Sequence, residues 1–151
     1  MNNIKITATV IKSLKGKEPI SSLTAYDYPT ALLLGKAGIH IVLVGDSLGM
    51  VVLGYPDTTF VTVEEIIHHT RAVARSKINS LIAADMPYKS YDTVEDAVRN
   101  SKKLIQAGAE GVKLEGGRSI ISQVRAIIDE GITVIGHLGM LPQHIVEEGG
   151  Y

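Results

Sequence analysis

Cysteine is absent from the 151 residues, which excludes disulfides, thiolate nucleophiles and cysteine-held zinc or iron-sulfur centres. Any metal must therefore be bound by oxygen or by histidine, of which there are five. Tryptophan is also missing and phenylalanine occurs once, so aliphatic side chains must build the core. Neither sign of charge dominates: 15 basic and 16 acidic residues leave a formal net of -1, without long like-charge blocks. That balance offers no electrostatic footprint for nucleic acid or an anionic membrane. No apolar run approaches the ~20 residues of a spanning helix. Met1 to Lys17 is too polar and lysine-interrupted for a signal peptide. The expectation is a soluble, cytoplasmic protein acting on small molecules. With 45% hydrophobic and 21% charged residues, and no linker, repeat or low-complexity tract, residues 1–151 read as one domain with a sizeable core.

Helix-like and strand-like stretches alternate along the chain. Apolar residues at Ile4, Ile6, Val10, Ile11 and Leu14 predict a short amphipathic helix that ends near Gly16 and Pro19. A strand over 20–26 follows. Pro29 suits the first turn of a helix reaching Ala37, and Gly38 suits its stop. The next strand is 39–44. Thr62 and Glu65 have the spacing of a capping box, opening a helix that runs toward Arg75. After a strand over 80–85, Thr93 caps a helix that ends at Ala107 with Gly108 as its stop. A strand over 111–114, a helix over 119–130 and a strand over 132–136 complete the alternation.

Four of these strands end in an ionisable residue: 39–44 runs into Asp46, 80–84 into Asp85, 111–114 into Glu115, and 133–136 into His137. Alternating units of this length imply a parallel sheet with right-handed crossovers, and in such folds ligands sit at the carboxyl ends of the strands. An open doubly wound sheet usually has a glycine-rich turn after its first strand, but Thr24-Ala25-Tyr26-Asp27-Tyr28 contains no glycine. Polar residues from several strand ends suit one mouth of a (β/α)8 TIM barrel. The fold class is thus α/β with (β/α)8 topology. A whole barrel takes roughly 250 residues, so the chain is expected to carry only about the first five βα units.

Two aspartates and a glutamate offer the hard oxygen donors that Mg²⁺ selects, with water and substrate oxygens filling its remaining positions. Taken singly, Asp46 could cap a turn and Asp85 could satisfy loop amides. Lys113 and Glu115, two apart on a strand, face the same side and either pair internally or share a ligand. His137 either packs at its strand end or lines the site. His68 and His69, mid-helix and without a partner at ligand spacing, are expected to be structural. Gly116-Gly117-Arg118-Ser119 before a helix reads as an anion-holding turn or simply a close turn. The long connection from Gly45 to Val61 reads as a binding loop or lid, opened by Asp46 and Ser47.

The segments Thr24-Ala25-Tyr26-Asp27-Tyr28, Val44-Gly45-Asp46-Ser47-Leu48-Gly49-Met50, Ala84-Asp85-Met86-Pro87, Val112-Lys113-Leu114-Glu115-Gly116-Gly117 and Gly136-His137-Leu138-Gly139 resemble the successive motifs of ketopantoate hydroxymethyltransferase. The resemblance implies a Mg²⁺-dependent enzyme of pantothenate synthesis. Such an enzyme transfers a one-carbon unit from 5,10-methylenetetrahydrofolate to 3-methyl-2-oxobutanoate, giving 2-dehydropantoate. It also implies a cytoplasmic homo-oligomer, a decamer in that family. Matched by position, Asp46, Asp85 and Glu115 correspond to metal-associated carboxylates, and Asp46, Ser47, Asp85 and Lys113 to keto-acid contacts. Lys113 would neutralise the substrate carboxylate and Ser47 would orient it, while His137 takes an orienting role. The family's general base lies on a later strand, beyond Tyr151, so the 151 residues alone are expected to be a fragment or truncated form with little activity. Two other readings stand beside this one: a Mg²⁺-dependent lyase or mutase of 2-oxo acids on a similar barrel, and a non-catalytic half-barrel association module.

Overall fold

In the computed structural model, which describes residues 4–145 and Gly149, five parallel strands form one sheet. They are β1 (Ser22–Thr24), β2 (Ile41–Val44), β3 (Leu81–Asp85), β4 (Gly111–Glu115) and β5 (Val134–His137). Their spatial order is their chain order. A doubly wound sheet reverses at a switch point; strictly sequential parallel neighbours make the wall of a (β/α)8 barrel, as the alternation of elements predicts.

Among the described residues six α-helices accompany the strands: α1 (Ala8–Leu14), α2 (Tyr28–Lys36), α3 (Leu48–Val51), α4 (Val63–Ala74), α5 (Val94–Ala107) and α6 (Ile121–Asp129). Local chemistry sets the main boundaries. The Thr62 hydroxyl accepts the Glu65 amide at 3.3 Å while Glu65 Oε2 accepts the Thr62 amide at 2.7 Å, closing the capping box of α4. Thr93 accepts the Asp96 amide at 3.0 Å to start α5, and Gly108 ends it in the left-handed region at φ 111°. Asp27 caps α2 by accepting the Thr30 amide at 2.8 Å.

β2 and β5 start two residues later than the sequence pattern, at Ile41 and Val134, and three further boundaries differ from it. α1 begins at Ala8, behind the Thr7 cap, because residues 4–6 bond elsewhere: the Ile6 amide donates to Asn79 O and the Lys5 ammonium reaches Ser80 O and Glu110. β1 is three exposed residues rather than seven, pairing on one side only. α6 starts at Ile121 because a 3-10 turn, Arg118–Ile120, takes up the residues before it.

The two faces of the sheet have different tasks. Val42, Val44, Ile82, Ala84, Val112 and Leu114 point to the helices and join Ile66 and Val73 of α4, Leu104 of α5 and Ile127 of α6 in one buried core. Each such aliphatic side chain contributes about 1.5–3 kcal/mol on burial. The alternate residues, among them Leu43, Asp85, Lys113, Glu115, Ile135 and His137, share the opposite face and line a common cavity. At the other end of the strands Ala8 and Ile11 of α1 line a cavity of about 230 Å³ together with Ile41, Leu81 and Val134. The ionisable side chains lie at the opposite end, where the strands finish.

Candidate active site

The site begins where β2 turns. The Asp46 amide donates to Asp85 Oδ2 at 3.0 Å, tying the end of β2 to the last residue of β3. The turn is close: a Cβ on Gly45 would stand 3.0 Å from Ser47 Oγ, so that hydroxyl would have to shift slightly, and 3.5 Å from Asp85 Oδ2, an ordinary contact. Ser47 then leads into α3, a four-residue helix inside the long connection, and its hydroxyl meets the Tyr26 hydroxyl at 2.8 Å. The connection therefore carries ordered structure, including a 3-10 turn at Thr58–Phe60.

Lys113 stands at the centre. Its ammonium lies 3.0 Å from Asp85 Oδ1 and 3.4 Å from Glu115 Oε1. Glu115 Oε1 also lies 2.8 Å from His137 Nδ1. A His137 tautomer with its proton on Nδ1 donates that proton to Glu115 and keeps Nε2 free. Asp46, Ser47, Asp85, Lys113, Glu115 and His137 all line one cavity of about 460 Å³, with Leu43, Met50 and Ile135 as an apolar wall. The structure thus gathers every residue that the sequence nominates.

Burial governs the electrostatics. It pushes Asp85 up to about 7, against the pull of Lys113 and with the added push of Asp46. Asp46 is raised as well, chiefly by burial, although the Gln143 amide and Lys113 hold it down. Burial alone would lower Lys113, but Asp85, Glu115 and Asp46 outweigh it and keep the ammonium above the usual lysine range. At both aspartates the pull of Lys113 exceeds the push of the neighbouring carboxylate, so burial rather than crowded charge causes the rise.

Two further residues belong to the network and carry no local sequence signal. Gln143 Nε2 donates to Asp46 Oδ2 at 2.7 Å, and Gln143 Oε1 meets the Tyr91 hydroxyl at 2.7 Å. Only a map of contacts distant in sequence would find them. His69 Nδ1 instead pairs with Tyr26 O at 2.7 Å, with the His68 ring set edge-on 5.3 Å away, so both have structural settings. Gly116, Gly117 and Ser119 line a neighbouring cavity of about 470 Å³, where Arg118 opens the 3-10 turn.

The donor set fits a hard cation. Among the described residues no three His, Cys, Asp or Glu side chains converge as a complete ligand group, and Glu115 is occupied by His137, Lys113 and the Gln143 amide. Asp46 and Asp85 remain as a carboxylate pair, which suits an ion that keeps water and ligand oxygens in its shell. Asp85 Oδ1 is buried with the Lys113 ammonium 3.0 Å away as its charge partner, so a cation held by Asp85 would share that carboxylate with the lysine.

Sequential parallel strands with titratable side chains gathered at their carboxyl ends define an enzyme-type (β/α)8 barrel wall. The ketopantoate hydroxymethyltransferase family model matches residues 5–151, and the chain belongs to that family. It is 52% identical over 148 residues to the 3-methyl-2-oxobutanoate hydroxymethyltransferase of Aeropyrum pernix, covering 97% of this chain and 54% of that protein. The corresponding protein of Acetivibrio thermocellus is 52% identical over 153 residues, covering 100% and 54%. The chain therefore spans about half the length of the curated relatives it matches.

Among solved structures, a phosphonopyruvate hydrolase in complex with oxalate and Mg²⁺ superposes with a TM-score of 0.72 at 14% identity, over 97% of this chain and 56% of that one. A 2,3-dimethylmalate lyase of the PEP mutase/isocitrate lyase superfamily gives 0.67 at 16% identity, over 98% and 56%. At such identities the likeness establishes the barrel fold alone. No helix among the described residues is long and apolar enough to cross a membrane.

Proposed function

We propose that the cavity binds 3-methyl-2-oxobutanoate with Mg²⁺, and that the protein adds to it a one-carbon unit from 5,10-methylenetetrahydrofolate, giving 2-dehydropantoate. The supporting observation is the Asp46, Asp85 and Lys113 cluster on one cavity wall in a member of this family. Asp46 and Asp85 would hold the ion, with Glu115 adding negative charge from the far side of Lys113. When bound, Mg²⁺ supplies the Lewis acidity that makes a proton beside a 2-oxo group removable.

The chain's own residues account for binding and orientation. Lys113, buried and held protonated, offers a full positive charge to the substrate carboxylate. Ser47, steadied by the Tyr26 hydroxyl, orients a substrate oxygen. His137 aligns the substrate from its Nε2 side while Glu115 fixes the ring. Leu43, Met50 and Ile135 match a branched aliphatic tail rather than a second carboxylate, which favours this substrate over those of barrel lyases. The C3 proton passes to a base supplied from outside residues 4–145; C3 then bonds to the methylene carbon as that carbon's bonds to the two folate nitrogens break, water supplies the hydroxyl of the product, and tetrahydrofolate leaves with the protons on its nitrogens. A cytoplasmic, homo-oligomeric assembly, decameric as in the resembled family, is part of the same proposal.

Formation of 2-dehydropantoate by the full chain its gene encodes, dependent on both Mg²⁺ and methylenetetrahydrofolate, is the expected result. Cleavage of a 2-oxo acid without folate would move the assignment to the lyases. Residues 1–151 alone should turn over at least ~10²-fold more slowly than a longer form carrying a base, and equal rates would place the base within them.

A further inference from the structure

We propose that Gln143 is a positioning residue that fixes the Asp46 carboxylate for its cation and substrate, with Tyr91 locking the glutamine amide in place. The inference rests on the reading of the cavity given above. Gln143 lies in a 3-10 turn, Pro142–His144, and is 1% exposed. Its Nε2 donates to Asp46 Oδ2 at 2.7 Å and to Met86 O at 2.9 Å. A carboxylate and a carbonyl only accept, so the NH₂ end of the amide must face them. Its oxygen end then faces the Tyr91 hydroxyl at 2.7 Å.

The phenol has one proton, and Gln143 Oε1 has none to offer. Glu115 O, 3.0 Å away, accepts from the same hydroxyl, so the proton is shared between it and the nearer Gln143 Oε1, while the phenolic oxygen accepts the Glu115 amide at 3.3 Å. The Gln143 backbone amide completes the circuit by donating to Glu115 Oε2 at 3.1 Å. One residue thus holds a carboxylate beyond β2, the loop after β3 and the carboxylate ending β4. A glutamine needed only for packing would be satisfied by backbone groups. Here one of its two shortest side-chain bonds, both 2.7 Å, goes to a carboxylate on the cavity, leaving the other carboxylate oxygen for a cation.

The test uses the full chain its gene encodes and Mn²⁺ as the probe, read by electron paramagnetic resonance well below each variant's melting temperature. Gln143→Met removes the amide at similar volume, and Tyr91→Phe removes the lock alone. Outer partners of metal ligands are worth roughly 10- to 100-fold in affinity, so Gln143→Met should raise the Mn²⁺ Kd by that factor and Tyr91→Phe by less, in the same direction. A Kd within about twofold of the parent in Gln143→Met would overturn the proposal and leave the glutamine a purely structural role. Should that variant fail to fold, the same outcome in Tyr91→Phe overturns it. Asp46→Asn separates the two levels. If it abolishes Mn²⁺ binding while Gln143→Met does not weaken it, only the positioning role falls; if it binds Mn²⁺ like the parent, the reading of the cavity falls and takes the positioning role with it.

Discussion

Lys113 and Asp85 dominate the site because each is almost wholly out of water, with 14% and 3% of their side chains exposed. Truncating one partner of such a pair leaves the other buried and unmatched, typically a cost of about 2 kcal/mol or more. Lys113→Met should therefore weaken binding of 3-methyl-2-oxobutanoate at least about 30-fold, the equivalent of that energy. Calorimetry showing unchanged affinity would remove Lys113 from the substrate contacts. Asp85 carries a pH signature. Its pKa is raised from 3.8 to about 7, so between these values the folded, metal-free protein holds a proton that the unfolded chain has lost. Stability contributed at Asp85 is full below the unfolded pKa and falls as pH rises toward the folded one. In EDTA, the melting temperature of Asp85→Asn relative to the parent should rise from about pH 5 to about pH 8. Saturating Mg²⁺ should reverse the trend, because the ion competes with that proton. A difference flat with pH would contradict the burial argument.

At the scale of elements, the legible boundaries are those written in local chemistry. Thr62 with Glu65, Thr93 and Gly108 mark ends of α4 and α5 because caps and left-handed stops act within one turn. β1 is less legible: Ile20 and Leu23 look like strand interior, but an edge strand lacks the second neighbour that would extend it. α3 is invisible to periodicity, since four residues, Leu48–Val51, complete little more than a turn. Gly108 links the helix layer to the site, lying between α5 and β4, which bears Lys113 and Glu115. A Cβ there would come within 2.4 Å of Ala74 Cβ, and the residue sits at φ 111°. Gly108→Ala should cost about 1–3 kcal/mol, seen as a lower urea midpoint with an unchanged m-value. A neutral substitution would mean that the end of α4 can withdraw from the end of α5 without loss.

For the whole molecule, the alternation of elements and the apolar strands make barrel topology readable, and the repeated ionisable strand ends locate its active mouth. Asp46, Asp85, Glu115 and His137 stand out because each follows a buried strand, and Lys113 because period two places it beside Glu115. Gln143 and Tyr91 do not stand out: their shared bond spans 52 positions and the Gln143 to Asp46 bond spans 97, distances over which only the folded chain brings residues together. The proposed binding of cation and keto acid would likewise be a property of the assembled wall, because residues at the ends of β2, β3 and β4 each contribute. The central claim is that this wall is one composite site in which the keto acid completes the ion's shell. Calorimetric titration of 3-methyl-2-oxobutanoate into the protein, in EDTA and then in saturating Mg²⁺, tests it most directly. The account predicts an affinity at least about tenfold higher with the ion, with the reciprocal gain for Mg²⁺ in saturating keto acid; equal affinities in the two buffers would contradict it.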